Sequence, residues 1–402
     1  MNLNEFVNAL SYGKLDTKLK QLYGSSDNAL LRSRARCLNA AERFSRLYPI
    51  CSDIRVFSAP GHIDLSGSIC GERSGCVLAA ASDRDVLAIA SLNGEGVIRV
   101  TMDNSPEIAF KVSDLRSRDD EQGTPAALIR AAASEAEKAG IALRGFDMFV
   151  TSDIPESGAQ TAGLSVLFAL AIEGLCAENT PDTKQLVARA RAAESAFSGS
   201  ASGIAAYRLC AEGGIVFADG TAPGEPEIRR FDADISASGY CVCETAAGGE
   251  GTASCSADLC KIAAKLGAET LAEVNAEEFY SRLSELRESF GDRALARAAG
   301  FFEELDRLRR AADSLEIADT EGFFGNIDCG GSACEESLGV KVSRRILSGN
   351  GAVTVGSSSG TLAAFVPNYL AQEYISGMEG VFGVGSCRSG AVRTFGACEI
   401  VL

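Results

Sequence analysis

The longest apolar run in the chain, Gly163 to Cys176, is fourteen residues long, carries Glu173, and follows a glycine- and serine-bearing loop, Ser152 to Gly163. A membrane span needs about 20 consecutive apolar residues, so this run is read as a buried helix. The first turn of a helix has unpaired N–H groups and about half a positive charge, so a glycine loop leading into one can seat a phosphate.

At 402 residues the chain suits two domains, and the Gly/Pro-rich stretch Gly220 to Pro226 places the division between 1–219 and 220–402. A hydrophobic fraction of 46% excludes a disordered or fibrous protein. The 38 basic and 54 acidic residues leave a net charge of −16, which repels nucleic-acid backbones and anionic lipid heads. No nucleic-acid or membrane partner is therefore expected. A small phosphorylated ligand, needing only a few local donors, stays allowed.

His62 is the only histidine. A Ser/His/Asp triad elsewhere, a His-rich zinc site and a two-histidine facial triad are all excluded. The opening MNLNEFVNALSYGKLD has no leader signature, so a cytoplasmic protein with reduced thiols is expected. Its 14 cysteines are read mainly as small buried hydrophobes. Their spacing contains no C-x2-C knuckle, although Cys241 and Cys243 would share a strand face, where Cys255 and Cys260 could complete a thiolate cluster.

Helices are expected over the first fifty residues, Pro125 to Ala139, 162–176, 183–197, two segments after Asn275, and Tyr369 to Phe382. Arg307, Arg309 and Arg310 are read as a solvated helix face. Strands are expected at Ile54 to Phe57 (ended by Ala59-Pro60-Gly61), Cys76 to Ala81, Val86 to Ala90, Val97 to Met102, Phe146 to Thr151, Ile215 to Phe217 and Tyr240 to Glu244. Asn93 to Gly96 reads as a hairpin turn, because Asn and Gly tolerate positive φ. Near the C-terminus, strands 351–355 and 362–366 flank a turn, Gly356 to Gly360.

Three Gly/Ser loops beside apolar elements are the organisation of a phosphate-handling protein: 58–67, 152–163 and 356–360. With Leu22-Tyr23-Gly24, Gly75 to Ala81, Gly145 to Asp153, Ala193-Glu194, Ala364 to Asn368 and Gly377 to Gly383, their order resembles the galactokinases of the GHMP kinase superfamily over nearly the whole chain. The resemblance implies an α+β, two-domain GHMP-kinase fold with mixed or antiparallel sheets flanked by helices and the active site in a cleft between the domains. It also implies transfer of the γ-phosphoryl of Mg-ATP to the anomeric hydroxyl of galactose.

The chain departs from that pattern where the chemistry belongs. His62 stands at the family's arginine, while Ser68, Ile69 and Gly71 replace the sugar-gripping polar residue, histidine and aspartate. Asp64 is a further carboxylate in this loop, as suited to bonding local backbone as to catalysis. The phosphate loop reads Ser157-Gly158-Ala159-Gln160-Thr161-Ala162-Gly163-Leu164, which lacks the serine expected to approach magnesium unless Thr161 or Ser165 substitutes. In Ser202-Gly203-Ile204-Ala205-Ala206-Tyr207, Ala206 occupies the place of the catalytic aspartate beside the inherited sugar-site Gly203, and the galactose-contacting tyrosine falls on Ser256.

An alanine methyl cannot accept a proton. A lost general base costs about 10²–10⁴ in rate, and a lost charge-stabilising donor about 10²–10³. The expectation is a galactokinase-like pseudokinase, sensor or scaffold, with ATP, magnesium and a small sugar or nucleotide ligand implied by resemblance alone and any protein partner left open. The alternative is an active ATP-dependent galactokinase or other sugar kinase with an altered site. His62 would then replace either the base or the arginine.

Overall fold

In a computed structural model, the structure describes residues 1–51, 53–65, 75–103, 105–154, 158–177, 182–198, 202–222, 224–246, 253–328, 342–343, 345–346, 353–358 and 361–401. The chain forms two compact units, one of residues 1–62, 81–213 and 393–402, the other of residues 63–80 and 214–392. The chain passes between them at 62/63, 80/81, 213/214 and 392/393.

The first unit opens with helices α1 (Leu3–Ser11), α2 (Asp16–Tyr23) and α3 (Asp27–Leu47). Asn2 and Glu5 form a reciprocal capping box on α1, and the Ser26 hydroxyl caps α3. Phe6, Leu19, Cys37 and Phe44 bury the inner faces of these helices. Strands β1 (Arg55–Asp64), β2 (Cys76–Leu92), β3 (Val97–Met102), β4 (Ile108–Lys111) and β5 (Phe146–Ser152) follow, with α4 (Pro125–Lys138) before β5.

Several local expectations are corrected here. β1 runs straight through Ala59-Pro60-Gly61, so those residues do not end it. The apolar runs 76–81 and 86–90 are one continuous strand. The Asn93 turn forms, with Gly94 and Gly96 at φ of 70° and 66°, but it does not close a hairpin. β5 lies between the two strands, antiparallel to β2 and parallel to β3. Gly145 makes the insertion possible, because a Cβ there would sit 2.6 Å from the backbone nitrogens of Gly96 and Val97.

Helix α5 (Gly158–Cys176) is apolar on all sides, and α4, α6 (Thr183–Ser198) and α7 (Ile204–Glu212) pack around it. A buried ionic network ties the unit's distant segments together. Asp85 on β2 accepts from Tyr23 at 2.7 Å, from Ser58 and from Arg36, and pairs with the fully buried Arg393 at 3.3 Å. Arg393 also donates to the carbonyls of Phe395 and Gly396. A buried charge needs this density of partners to offset its lost hydration.

In the second unit, residues 76–80 of β2 pair with β6 (Ile215–Asp219), which pairs with β7 (Glu227–Phe231). A separate antiparallel sheet contains β8 (Tyr240–Ala246), β9 (Val353–Ser358), β10 (Thr361–Pro367) and β11 (Cys387–Gly390) in the order β11-β8-β10-β9. The expected turn at 356–360 therefore begins inside β9, and Ser359 and Gly360 lie outside the described residues. Helices α8 (Ala253–Lys265), α9 (Ala276–Ser281), α10 (Leu283–Glu316), α11 (Thr320–Ile327) and α12 (Ala371–Phe382) complete the unit. α10 breaks at Gly291, whose φ of 77° is outside helical space.

The arginine face of α10 is not simply solvated. Arg307 pairs with buried Glu304 and donates to the Asn326 carbonyl at 2.7 Å, and Arg309 binds Asp219 and Thr221. Only Arg310, paired with Asp306, keeps an exposed ion pair. In the first unit a two-residue strand, β12 (Cys398–Glu399), joins the free edge of β1.

Cys37, Cys76 and Cys210 are fully buried, and burial pushes each thiol up to about 12, as for small hydrophobes that stay protonated.

Candidate functional site

Gly61 and Gly163 let three segments of the first unit meet closely. A Cβ on Gly61 would sit 3.0 Å from Ile154 Cδ1, and one on Gly163 would sit 3.3 Å from the Pro60 carbonyl oxygen. The Ala-Pro-Gly motif is thus held against the first turns of α5.

Ser165, two residues past Gly163 and fully buried, donates to the Thr161 carbonyl at 2.8 Å. It also reaches Glu194 on α6 at 3.4 Å. Glu194 is 5% exposed and is the centre of the arrangement. Its Oε1 accepts from the Ser202 N–H at 3.1 Å and the Ser202 hydroxyl at 2.7 Å. Its Oε2 accepts from the Tyr207 hydroxyl at 2.8 Å, besides the longer contact from Ser165. An ionised carboxylate offers about four acceptor sites, and three donors from Ser202 and Tyr207 face them at 2.7–3.1 Å. Burial, then the Glu194 charge, push the Tyr207 phenol upward, so it remains a donor.

Gly203 caps the N-terminus of α7 in extended backbone, and the Ala206 N–H returns to its carbonyl at 3.1 Å. Ala206 is 8% exposed, and its methyl belongs to the apolar core. His62 is half-buried on β1, and its Nδ1 has no hydrogen-bond partner among the described residues. Burial lowers its pKa to about 4, so the ring is neutral at pH 7 and supplies no cation in place of an arginine.

Asp64 is half-buried at the end of β1, and Thr161 is half-buried on α5. Gly158 and Ala159 lie in the first turn of α5, and Ser256 lies in α8 with its side chain outside the described residues. Ser68, Ile69, Gly71 and Ser157 are also outside them. The structure thus brings together Ser165 and the loop before Gly203, and adds two groups absent from the expected set, Glu194 and Tyr207. The sequence signal for Glu194 is its place after Ala193 in one of the segments that carry the resemblance.

Among the described residues no group of three or more His, Cys, Asp or Glu side chains is placed to hold a metal ion. Cys241 and Cys243 do share a face, with sulfurs 3.9 Å apart, but Cys260 is exposed on α8 and the Cys255 side chain is outside the described residues. No helix among the described residues is long and apolar enough to cross a membrane.

No protein-family model matches the chain. Over 209 residues it is 29% identical to a galactokinase of Streptomyces coelicolor, a match covering 49% of this chain and 51% of that protein. The chain thus spans about half the length of the curated relative it matches. In three dimensions it resembles the galactokinase of Lactococcus lactis solved with galactose, with a TM-score of 0.69 and 18% identity over 89% of this chain and 98% of that one. The mevalonate kinase of Methanococcus jannaschii follows the same course, with a TM-score of 0.54 and 13% identity over 85% of this chain and 99% of that one. The α+β architecture expected from the motifs is therefore present, and the chain shares the fold of these kinases and is similar over about half its length to a galactokinase.

Proposed function

We propose that this chain is a galactokinase-like protein that has lost phosphoryl transfer and serves as a sensor or scaffold, a pseudokinase in the cytoplasm. The observation that carries the reading is the shell of donors around Glu194. Three donors from Ser202 and Tyr207 at 2.7–3.1 Å face its carboxylate, and the Ser165 hydroxyl stands 3.4 Å from it, so a cation would have to displace protein bonds.

The magnesium that the resemblance implies does not fit this arrangement. Of the two hydroxyls expected to approach it, Ser165 is buried and bonded to its own helix and to Glu194. Bringing a divalent ion to that carboxylate would displace bonds from Tyr207 and Ser202, whose donors would be left buried and unpaired. Two further features point the same way. Ala206 presents a buried methyl at the inherited base position, and the neutral His62 ring cannot stand in for a guanidinium. Losing the base alone costs about 10²–10⁴ in rate, and groups that act as a unit fail together.

A small sugar or nucleotide remains the proposed ligand class, with His62, Asp64, Gly203 and the 157–165 segment as the inherited contact positions. Two measurements on the purified chain test this. Coupled ADP release with Mg-ATP and a panel of monosaccharides is expected to stay at background. Thermal-shift titration with galactose and with ATP, with and without magnesium, reads ligand binding separately, because a ligand that binds only the native state raises its stability. Brisk, galactose-dependent ADP release would overturn the proposal.

A further inference from the structure

The first unit contains a cavity of about 940 Å³ at the C-terminal end of α5, formed with β1, β12, the Asn93 turn and α6. None of its lining residues is a position inherited from the kinase pattern. Phe57, Leu170, Leu175 and Leu186 make an apolar floor. Its volume and lining are those of a small-molecule site, in which a few polar groups orient an apolar ligand.

Four charged side chains line it: Asp53, Arg55, Arg144 and Glu399. Two of them neutralise each other. Arg55 binds Glu399 through two nitrogens, at 2.8 Å from Nε, and also caps the Gly174 carbonyl of α5. Gly174 permits this, since a Cβ there would meet the Phe57 ring at 2.9 Å. The other two are exposed, and neither side chain has a hydrogen-bond or ion-pair partner among the described residues. They do not pair with each other either. The cavity therefore carries one available guanidinium and one available carboxylate above an apolar floor.

We propose that this cavity binds a zwitterionic ligand with an apolar body, the size of an apolar dipeptide. The ligand's carboxylate meets Arg144 and its ammonium meets Asp53. A guanidinium–carboxylate pair forms charge-assisted hydrogen bonds about twice as strong as neutral ones. A ligand carrying both signs also suits a protein of net charge −16, because it brings no net charge.

Calorimetry with L-leucyl-L-phenylalanine is the test, alongside its N-acetylated and C-amidated forms. The free dipeptide should bind, and each blocked form should bind about two- to fivefold more weakly, the scale of a partly exposed charge pair. Arg144→Gln should weaken the free dipeptide by the same factor but leave the amide unchanged. Asp53→Asn should weaken it likewise but leave the acetylated form unchanged. Both residues are exposed, so these variants should fold normally. Ala177→Trp, at the cavity wall, should abolish binding of all three, with circular dichroism confirming its fold. Absence of dipeptide binding, or binding indifferent to these three substitutions, would overturn the proposal.

Discussion

The Tyr207 hydroxyl donates to Glu194 Oε2 at 2.8 Å, from the residue next to Ala206. One bond thereby occupies an acceptor site of the buried Glu194 carboxylate. It also fixes α7 against α6. Tyr207 is 0% exposed, so the contact is made without solvent competition.

Tyr207→Phe removes the donor and keeps the ring. A hydrogen bond to a charged group contributes about 1.5–3 kcal/mol, and urea denaturation should show a loss on that scale. A variant as stable as the parent would mean that Glu194 is satisfied without the phenol.

His62 is the only histidine, so its imidazole resonances can be assigned without ambiguity. Burial lowers its pKa to about 4. In the unfolded chain it titrates near about 6.5, so the unfolded state binds more protons between these values. Stability contributed by the neutral ring is therefore present above the unfolded value and is lost as pH falls toward 4. NMR titration should find a midpoint near 4, and His62→Gln should flatten the stability profile over that window. A midpoint near the unfolded value would contradict the buried neutral ring.

Asp85 is opposed by burial but held below the ordinary carboxylate range by Arg36 and Arg393, with help from Ser58 and Tyr23. Breaking such a buried pair typically costs about 3–5 kcal/mol, and Asp85→Ala should show that loss at neutral pH. A depressed carboxylate stabilises above its unfolded pKa and loses that contribution as pH falls through its folded value. The gap between parent and variant should therefore close below about pH 4. A pH-independent gap would assign the loss to packing alone.

Gly174→Ala would place a methyl 2.9 Å from the Phe57 ring and 3.5 Å from the Arg55 guanidinium carbon. Overpacking of this kind costs about 1–3 kcal/mol. Thermal unfolding should report the loss, while far-UV dichroism stays unchanged. An unperturbed melting temperature would show that β1 can step back from α5.

Periodicity and turn chemistry made much of the fold legible. The largely apolar segment after Gly163 read as a buried helix, and the ordered motifs pointed to the galactokinase-like architecture that the structural likeness bears out. The same reading placed Ala206 at the expected position of an aspartate, because residue identity at a fixed spacing is a local property. Strand order was not local. The Asn93 turn looked like a hairpin, yet β5 inserts beside it because Gly145 alone allows that approach.

Pairing of charges was equally out of reach. Asp85 meets Arg393 across 308 positions of sequence, and the Tyr207 contact with Glu194 depends on how α6 and α7 pack. Side-chain chemistry was thus set by the order of residues, whereas the partners of each charge were chosen by packing, since burial makes an unpaired group too costly to leave alone.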